Sequence, residues 1–244
     1  MKNRSSVSDP VDAYNEIAPY FARLSAVRSA YLDRVEKLVA AEMPSEARSL
    51  LDVGSGDGVR GLRIARASGL ESVVLLEPSV AMRGLWPPGI CGWPIRAEEL
   101  KTRDGQFDAI TCLWNVLGHI FPEASRVEVL RHCARLLSPG GRLFIDLSHR
   151  YNAAHYGVLP TSLRAIRDLV VANERNGDVT AHWDEGGTHC TTKGHVFTDA
   201  EFRRNASAVG LSVLKCFAVD YSNGSIRSSI YAGHLFYVLS GRVP

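Results

Sequence analysis

The chain has 244 residues, 45% of them hydrophobic and 22% charged, which suits one large soluble α/β domain with a sizeable core. Its formal net charge is +2 and it has no lysine- or arginine-rich block, which argues against nucleic acid or an anionic membrane as a partner. The polar start, the lack of a bilayer-length apolar run and five scattered cysteines predict a cytoplasmic protein with reduced thiols.

The first 44 residues predict a helical cap. Apolar residues recur at helical spacing from Val11 to about Met43, and Pro44 follows the last of them. Short apolar runs then alternate with periodic segments. The runs predict strands at 49–54, 72–78, 91–97, 107–114 and 142–148, and the periodic segments predict helices at 59–67, 79–85 and 122–137. This alternation predicts a parallel sheet with helices on both faces.

Two further strands are expected near the end of the chain, at 211–221 and 229–239. They are joined across 222–225, where Asn223-Gly224 is the strongest short signal for a hairpin. We therefore predict a Rossmann-like α/β fold with a seven-stranded sheet, mostly parallel, ending in an antiparallel C-terminal hairpin. Residues 149–197 are too many for a simple connection and predict an inserted helix and small hairpin. We interpret 1–244 as one domain, with 1–44 as its cap.

The sharpest chemical signal is the stretch Leu51-Asp52-Val53-Gly54-Ser55-Gly56-Asp57-Gly58, at a predicted strand-to-helix turn. Glycines let a ligand approach the backbone, and a helix N-terminus aims N–H groups at it. In a dinucleotide-binding turn the third glycine would stand at position 59, but here it is Gly58. Asp52 would repel a diphosphate but attract a cationic amino group. Glu77 ends the next strand, where a carboxylate can accept hydrogen bonds from ribose hydroxyls. A ribose and a positive charge without a diphosphate describe S-adenosylmethionine.

In order and spacing, the chain resembles the class I S-adenosylmethionine-dependent methyltransferases that act on small molecules. Similar stretches are 51–58, Leu76-Glu77-Pro78-Ser79 with Met82, Arg96-Ala97-Glu98-Glu99-Leu100, 107–110, 113–119 and 136–143. Arg96 stands where the family usually has aspartate, so the side chain that meets the adenine amino group is left open. The resemblance implies the cofactor S-adenosyl-L-methionine, the product S-adenosyl-L-homocysteine and no metal. The cofactor-binding residues that it implies are Asp52, Gly54, Ser55, Gly56, Gly58, Glu77, Pro78, Met82, Ala97, Glu98, Leu113, Trp114 and Asn115.

Two histidines are candidate catalytic bases. His119 follows the fourth predicted strand and His149 follows the fifth, at the sheet edge where active sites of open parallel sheets lie. A packing role is about as plausible for each. Tyr20 is a third catalytic candidate. Candidate acceptor-binding residues are Tyr14 and Tyr20 in the cap and Arg150 and Tyr151 after the fifth strand.

We expect methyl transfer to an oxygen or nitrogen of a small-molecule acceptor, by a monomer or homodimer, with 149–197 as the acceptor lid. The alternatives are a protein or nucleic-acid methyltransferase, an NAD-dependent oxidoreductase and a non-catalytic cofactor-binding partner subunit. The spacing of His182, His189, Cys190 and His195 fits no standard zinc pattern.

Overall fold

The computed structural model describes residues 7–171, 173–186 and 188–241. Three helices form the N-terminal cap: α1 Pro10–Ile17, α2 Phe21–Ala26 and α3 Ser29–Glu42. The helical prediction for this region is confirmed, with one interruption. A 3-10 turn at Ala18–Tyr20 separates α1 from α2 and contains Pro19, which has no N–H for a helical hydrogen bond.

The alternating pattern that the sequence predicts is confirmed over the middle of the chain. The strands are β1 Ser49–Val53, β2 Ser72–Leu76, β3 Gly92–Trp93, β4 Phe107–Cys112, β5 Leu137–Leu147, β8 Leu211–Val219, β9 Ile226–Arg227 and β10 His234–Gly241. The helices between them are α4 Val59–Ala67, α5 Val80–Arg83, α6 Glu123–Leu136 and α9 Asp199–Ala208. The third strand is much shorter than 91–97, and Pro94 follows it without an N–H for the ladder.

These strands form one sheet in the order β3-β2-β1-β4-β5-β10-β8-β9. The first five are parallel, and β10 runs antiparallel to both β5 and β8. The sheet has eight strands rather than the predicted seven. The Asn223-Gly224 turn leads from β8 into the two-residue β9, which pairs back onto β8, and β10 follows as a separate strand on the other side. The antiparallel pairing of the two long strands is therefore confirmed, but the connection between them is longer than the predicted 222–225 and contains β9.

Helices cover both faces of the sheet, as predicted. On one face α6 and α9 contribute Val129 and Phe202 to a buried apolar cluster, and on the other α3 and α4 contribute Val35 and Ile64. The buried strands therefore read as continuous apolar runs, because each of their faces meets a helix layer.

The insertion after β5 contains the predicted helix and hairpin. Its elements are α7 Ala153–Tyr156, α8 Val158–Val170, a 3-10 turn at Glu174–Gly177, β6 Asp178–Glu185 and β7 Thr188–His195. β6 and β7 pair in an antiparallel sheet of their own. Gly187, which the sequence places in the hairpin turn, lies outside the described residues. The hairpin lies against the cap, where Ser8 forms a parallel bridge with Thr192 and the Tyr20 hydroxyl lies 3.4 Å from the Gly186 carbonyl oxygen.

Candidate active site

A cavity of about 860 Å³, open mouth included, lies at the carboxyl ends of β1, β2 and β4 beneath the cap. The predicted site residues that line it are Tyr14, Gly54, Ser55, Gly56, Glu77, Pro78, Ala97, Glu98, Leu113, Trp114 and His119.

The glycine-rich loop between β1 and α4 needs residues that tolerate a left-handed backbone. Gly54 has a φ of +71° and Gly56 a φ of +56°. A β-carbon on Gly54 would lie 2.6 Å from the Val116 side chain. The loop is also held from outside, because the Trp86 indole N–H donates to the Gly56 carbonyl at 2.9 Å. The loop is therefore a rigid backbone wall rather than a loose connection.

Glu77 joins this loop to the end of β2. One carboxylate oxygen accepts the Gly56 N–H at 2.9 Å and the other accepts the Ser79 N–H at 2.8 Å. Burial raises the pKa of this carboxyl, opposed by those two backbone donors and by the charge of Arg83. Each oxygen retains a lone pair toward the cavity, so the group can accept two ligand hydroxyls.

Two polar side chains at the cavity hold buried atoms without a hydrogen-bond partner among the described residues. They are the Ser55 Oγ and the Arg60 guanidinium, whose Nε and Nη2 are both unpartnered. Arg60 approaches Glu36, but at 3.7 Å from its Oε1. Buried donors in a cleft normally have a partner, so a ligand with a carboxylate would satisfy them. The amino-acid end of S-adenosylmethionine carries such a group, and the residues present therefore fit this cofactor.

The N-terminal cap is fastened to the same loops. Asn15 Oδ1 accepts the Ser79 hydroxyl at 2.7 Å, which fixes α1 on the turn after Glu77. Arg96 donates to Asp9 at 2.7 Å, and this ion pair fixes the start of α1 to the turn after β3. A β-carbon on Gly56 would lie 3.2 Å from the Phe21 ring. The cap thus closes directly over the glycine loop.

Tyr14 and His119 meet in the cavity wall. The Tyr14 hydroxyl lies 3.3 Å from His119 Nε2, and His119 Nδ1 lies 3.1 Å from the Lys193 carbonyl oxygen. A carbonyl can only accept, so Nδ1 carries the proton of the neutral ring and Nε2 presents its lone pair. Burial lowers the pKa of His119, whereas burial and the nearby Glu77 charge raise that of Tyr14. The pair is a neutral base with a neutral hydroxyl beside it.

The turn after β4 is strained where it meets this pair. Trp114 and Asn115 have φ values of +65° and +60°, which non-glycine residues adopt rarely. The buried Asp146 side chain accepts the Trp114 N–H, and the Asn115 side chain bridges the Ser148 N–H at 3.0 Å and the His195 carbonyl at 3.2 Å. These contacts present the Trp114 ring to the cavity and turn the Asn115 side chain toward β5 and the hairpin.

Asp52 does not line the cavity. Its side chain is buried, accepts the Thr111 hydroxyl at 2.7 Å and lies against the missing β-carbon of Gly61 in α4. The predicted direct contact with a cationic amino group therefore has no support in the geometry. Gly58, Met82 and Asn115, which the resemblance implies as cofactor residues, are also absent from the cavity lining.

The polar cluster after β5 is packed into the protein rather than turned to the cavity. His149 is buried, its backbone N–H donates to His234 Nδ1 at 3.1 Å, and burial lowers its pKa to about 4. Arg150 pairs with Asp168 at 3.1 Å and Glu201 at 2.9 Å.

Tyr151 donates to the same Asp168 at 2.8 Å. Four predicted site residues therefore do not line the cavity. They are the acceptor-binding candidates Arg150 and Tyr151 and the catalytic candidates His149 and Tyr20.

Sequence reasoning missed part of the lining. These residues are Pro10, Val11, Phe21, Asp57, Arg60, Leu76, Arg96, Val116 and Ile120. A signal was available for several of them, because Asp57, Leu76, Arg96 and Val116 lie inside stretches that resemble the family, and Arg60 lies two residues beyond the glycine motif. The others come from separate elements whose side-chain directions no local pattern gives.

Among the described residues, no helix is both long and apolar enough to cross a membrane, and no group of three or more histidine, cysteine or acidic side chains is arranged to hold a metal.

Comparison with known proteins gives a family match over most of the chain. The sequence model of a family described as a methyltransferase domain matches residues 22–215. The ubiquinone biosynthesis O-methyltransferase of Xanthomonas oryzae pv. oryzae (strain PXO99A) is 31% identical over 122 residues, 48% of this chain and 49% of that protein. The tRNA U34 carboxymethyltransferase of Syntrophotalea carbinolica is 34% identical over 110 residues, 42% of this chain and 33% of that protein. The chain thus spans half or less of the length of these curated relatives.

Solved structures share the fold at low sequence identity. The CcbJ methyltransferase of Streptomyces caelestis gives a TM-score of 0.66 at 16% identity, covering 86% of this chain and 90% of its own. The S-adenosylmethionine-bound CalS10, an amino pentose methyltransferase of Micromonospora echinaspora, gives a TM-score of 0.58 at 17% identity, covering 91% and 96%. These structures show that the fold is shared. The family match over residues 22–215 leads to one identification: the chain belongs to the methyltransferase-domain family.

Proposed function

We propose that this chain is a class I S-adenosylmethionine-dependent methyltransferase that acts on an oxygen or nitrogen of a small-molecule acceptor. In this proposal His119 is the proton acceptor and Tyr14 positions the acceptor. The observation that carries the proposal is the Tyr14–His119 contact of 3.3 Å in the wall of the cavity. Both side chains are neutral, and the one free lone pair of the histidine faces the tyrosine hydroxyl.

The cavity supplies complementary groups for the cofactor. Glu77 would accept the ribose hydroxyls, and Arg60 with Ser55 would hold the carboxylate of the amino-acid end. Asp57 and Glu98 add negative charge to the lining, which favours a ligand that carries an ammonium and a sulfonium. When bound, the cofactor supplies an activated methyl group that needs only a correctly placed nucleophile.

Tyr14 and His119 would then bind the acceptor and accept its proton. An acceptor hydroxyl or amine at this wall would take the place of the Tyr14 hydroxyl at the single lone pair of His119 Nε2 and donate its hydrogen bond there. The Tyr14 hydroxyl would then form a hydrogen bond with the acceptor. His119 takes the proton at Nε2 while Nδ1 stays bonded to the Lys193 carbonyl, so the ring keeps its orientation as it becomes positive. The proton then leaves to solvent.

The aromatic side chains at this wall favour a planar, partly apolar acceptor. The Phe21 and Trp114 rings lie 5.6 Å apart by centroids, and Trp183 from the hairpin lies 5.6 Å from Tyr14. Such rings bind flat organic molecules well and exclude water from the proton-accepting nitrogen. The hairpin β6–β7 backs this wall through Lys193 and Trp183, which supports the proposal that 149–197 forms an acceptor lid.

The test begins with release of S-adenosylhomocysteine from S-adenosylmethionine in the presence of phenols, alcohols and amines of low molecular weight. Bulk tRNA and a denatured protein fraction are tested in parallel. We expect turnover with a member of the small-molecule set. Turnover with tRNA or protein alone would replace the proposed acceptor class.

The roles of the pair are then tested with that acceptor. His119→Asn should lower kcat by about 10²–10⁴-fold and remove the acid limb of the kcat profile, since general-base catalysis contributes that much. Tyr14→Phe should raise KM more than it lowers kcat. His132→Asn, on the outer surface of α6, is the matched histidine control. An unchanged pH profile in His119→Asn would show that a group other than His119 accepts the proton of the acceptor.

A further inference from the structure

The polar and apolar faces of helix α8 (Val158–Val170) are exchanged in comparison with an ordinary surface helix. The side chains that it turns toward the protein are polar. Thr161 is buried, Asp168 is bound by Arg150 and Tyr151, and the Arg164 guanidinium lies 4.5 Å from the centre of the Tyr156 ring. A surface helix of a globular protein normally buries its apolar stripe instead.

The opposite face of α8 carries a continuous apolar stripe, here called the α8 face. Its six side chains are between 58% and 86% exposed, and they are Val158, Leu159, Leu163, Ile166, Leu169 and Val170. At 100° per residue these positions fall within one arc, in which Ser162 is the single polar residue. A stripe of this kind facing water is costly, and exposed patches of this type mark binding surfaces.

We propose that the α8 face is the interface of a homodimer, in which α8 packs against α8 of a second copy. A fully exposed aliphatic side chain of this size presents on the order of 100 Å² to solvent, and these six are 58% to 86% exposed. The six together present roughly 400 Å², which is about as large as the largest patch of a typical monomer. A stable interface needs roughly 800 Å² on each partner, so the proposed contact extends beyond the stripe itself.

A groove beside the stripe supplies that extension. It runs between α8 and the segment around α7, and Tyr151, Ala165 and the half-exposed Tyr231 lie in its wall. The ridge of Leu159, Leu163 and Ile166 stands next to it. A ridge beside a groove is self-complementary under a two-fold axis, because each copy can place its ridge toward the groove of the other.

The charge around the α8 face favours a second copy over a membrane or a charged peptide. The bordering cation, Arg167, is already paired with Asp168 at 3.0 Å, and the other charges of the helix are turned inward. Interfacial membrane helices instead keep a lysine- or arginine-rich face in contact with lipid headgroups. A neutral apolar stripe matches the composition of homodimer interfaces, which are the most apolar class.

Sedimentation velocity tests this proposal, on the full chain from about 1 µM to about 100 µM. We expect the wild-type protein to sediment as a dimer of the 26.7 kDa chain. Leu163→Glu combined with Ile166→Glu should weaken the dimer by at least about a hundredfold, since each copy brings two charges into the contact. Leu214→Glu, at a similarly exposed leucine on β8, is the control and should remain dimeric.

S-adenosylhomocysteine binding by the double variant should equal that of wild type, because no α8 residue lines the cofactor cavity. If the double variant fails to fold, Leu169→Gln at the most exposed position provides the same comparison with a milder change. A wild-type monomer throughout the range, or a double variant that stays dimeric, would overturn the proposal. So would a monomer that co-floats with phosphatidylglycerol–phosphatidylcholine vesicles.

Discussion

Removal of the Glu77 carboxylate is the most direct test of the cofactor site. Glu77→Ala deletes a group that is buried, fixed by the Gly56 and Ser79 N–H donors and directed at the cavity. A hydrogen bond to a charged group is worth about 1.5–3 kcal/mol. Loss of even one to a ribose hydroxyl should weaken S-adenosylhomocysteine binding by about tenfold or more, and loss of two by more than a hundredfold.

The same substitution has a smaller expected effect on folding. It leaves two backbone N–H groups without their acceptor, which would cost about 1–3 kcal/mol each in a dry site. Because the cavity is open to water, the observed loss of unfolding free energy should be smaller than the sum of the costs for these two N–H groups. Glu77→Gln is a useful companion, because an amide has one acceptor oxygen where the structure requires two. Its nitrogen would face a backbone N–H, and we expect it to bind as poorly as the alanine variant.

Isothermal titration calorimetry with S-adenosylhomocysteine is the assay, with a thermal melt of each ligand-free variant to separate binding from folding. Glu71→Gln, at an exposed surface carboxylate, is the control and should bind normally. Burial raises the pKa of Glu77, so affinity of the wild type should decline as pH falls through that raised value and the carboxylate is neutralised. Unchanged affinity in Glu77→Ala would refute the assignment of the ribose to this residue.

Three further predictions concern the loop, the strand beneath it and the hairpin. Burial raises the pKa of Asp52 from 3.8 to about 6, so the folded state holds its proton more tightly than the unfolded chain, and stability is lost as pH rises across that window. Asp52→Asn should therefore stabilise the ligand-free protein at pH 7 by on the order of 1–3 kcal/mol, add no stability at pH 4 and change S-adenosylhomocysteine binding little. Urea unfolding at both pH values measures the effect on the free energy of unfolding, and equal effects at both would contradict the pKa argument. Gly54→Ala should lower stability by on the order of 1–3 kcal/mol and abolish S-adenosylhomocysteine binding, because φ is +71° and the new carbon would lie 2.6 Å from Val116; a variant that melts and binds like wild type would show that the loop is not rigid. Trp183→Ala should raise KM for the acceptor and leave cofactor affinity unchanged in calorimetry, because Trp183 contacts Tyr14 and is absent from the cavity lining; an equal loss of both would make the hairpin part of the cofactor site.

The amino-acid sequence by itself determined the parts of this protein that depend on local chemistry. The alternation of strands and helices follows from hydrophobic period, and the sharp loop after β1 follows from Gly54 and Gly56, which adopt the left-handed backbone without a steric penalty. Glu77 could be placed at the cavity because it ends a buried parallel strand, and such strands deliver their last residues to one edge of the sheet. These signals sufficed for the fold class and for placing the glycine loop and Glu77 at the cavity.

The tertiary structure alone decided which of several equivalent candidates faces the cavity. His119 and His149 each follow a strand end, yet the buried His149 ring packs against the Tyr151 and Tyr231 rings, whereas His119 meets Tyr14 across the cleft. Asp52 precedes the glycines as the family pattern has it, but its carboxylate points beneath α4. In each case the direction of the side chain is set by residues distant in sequence, because close packing leaves room for it on only one side.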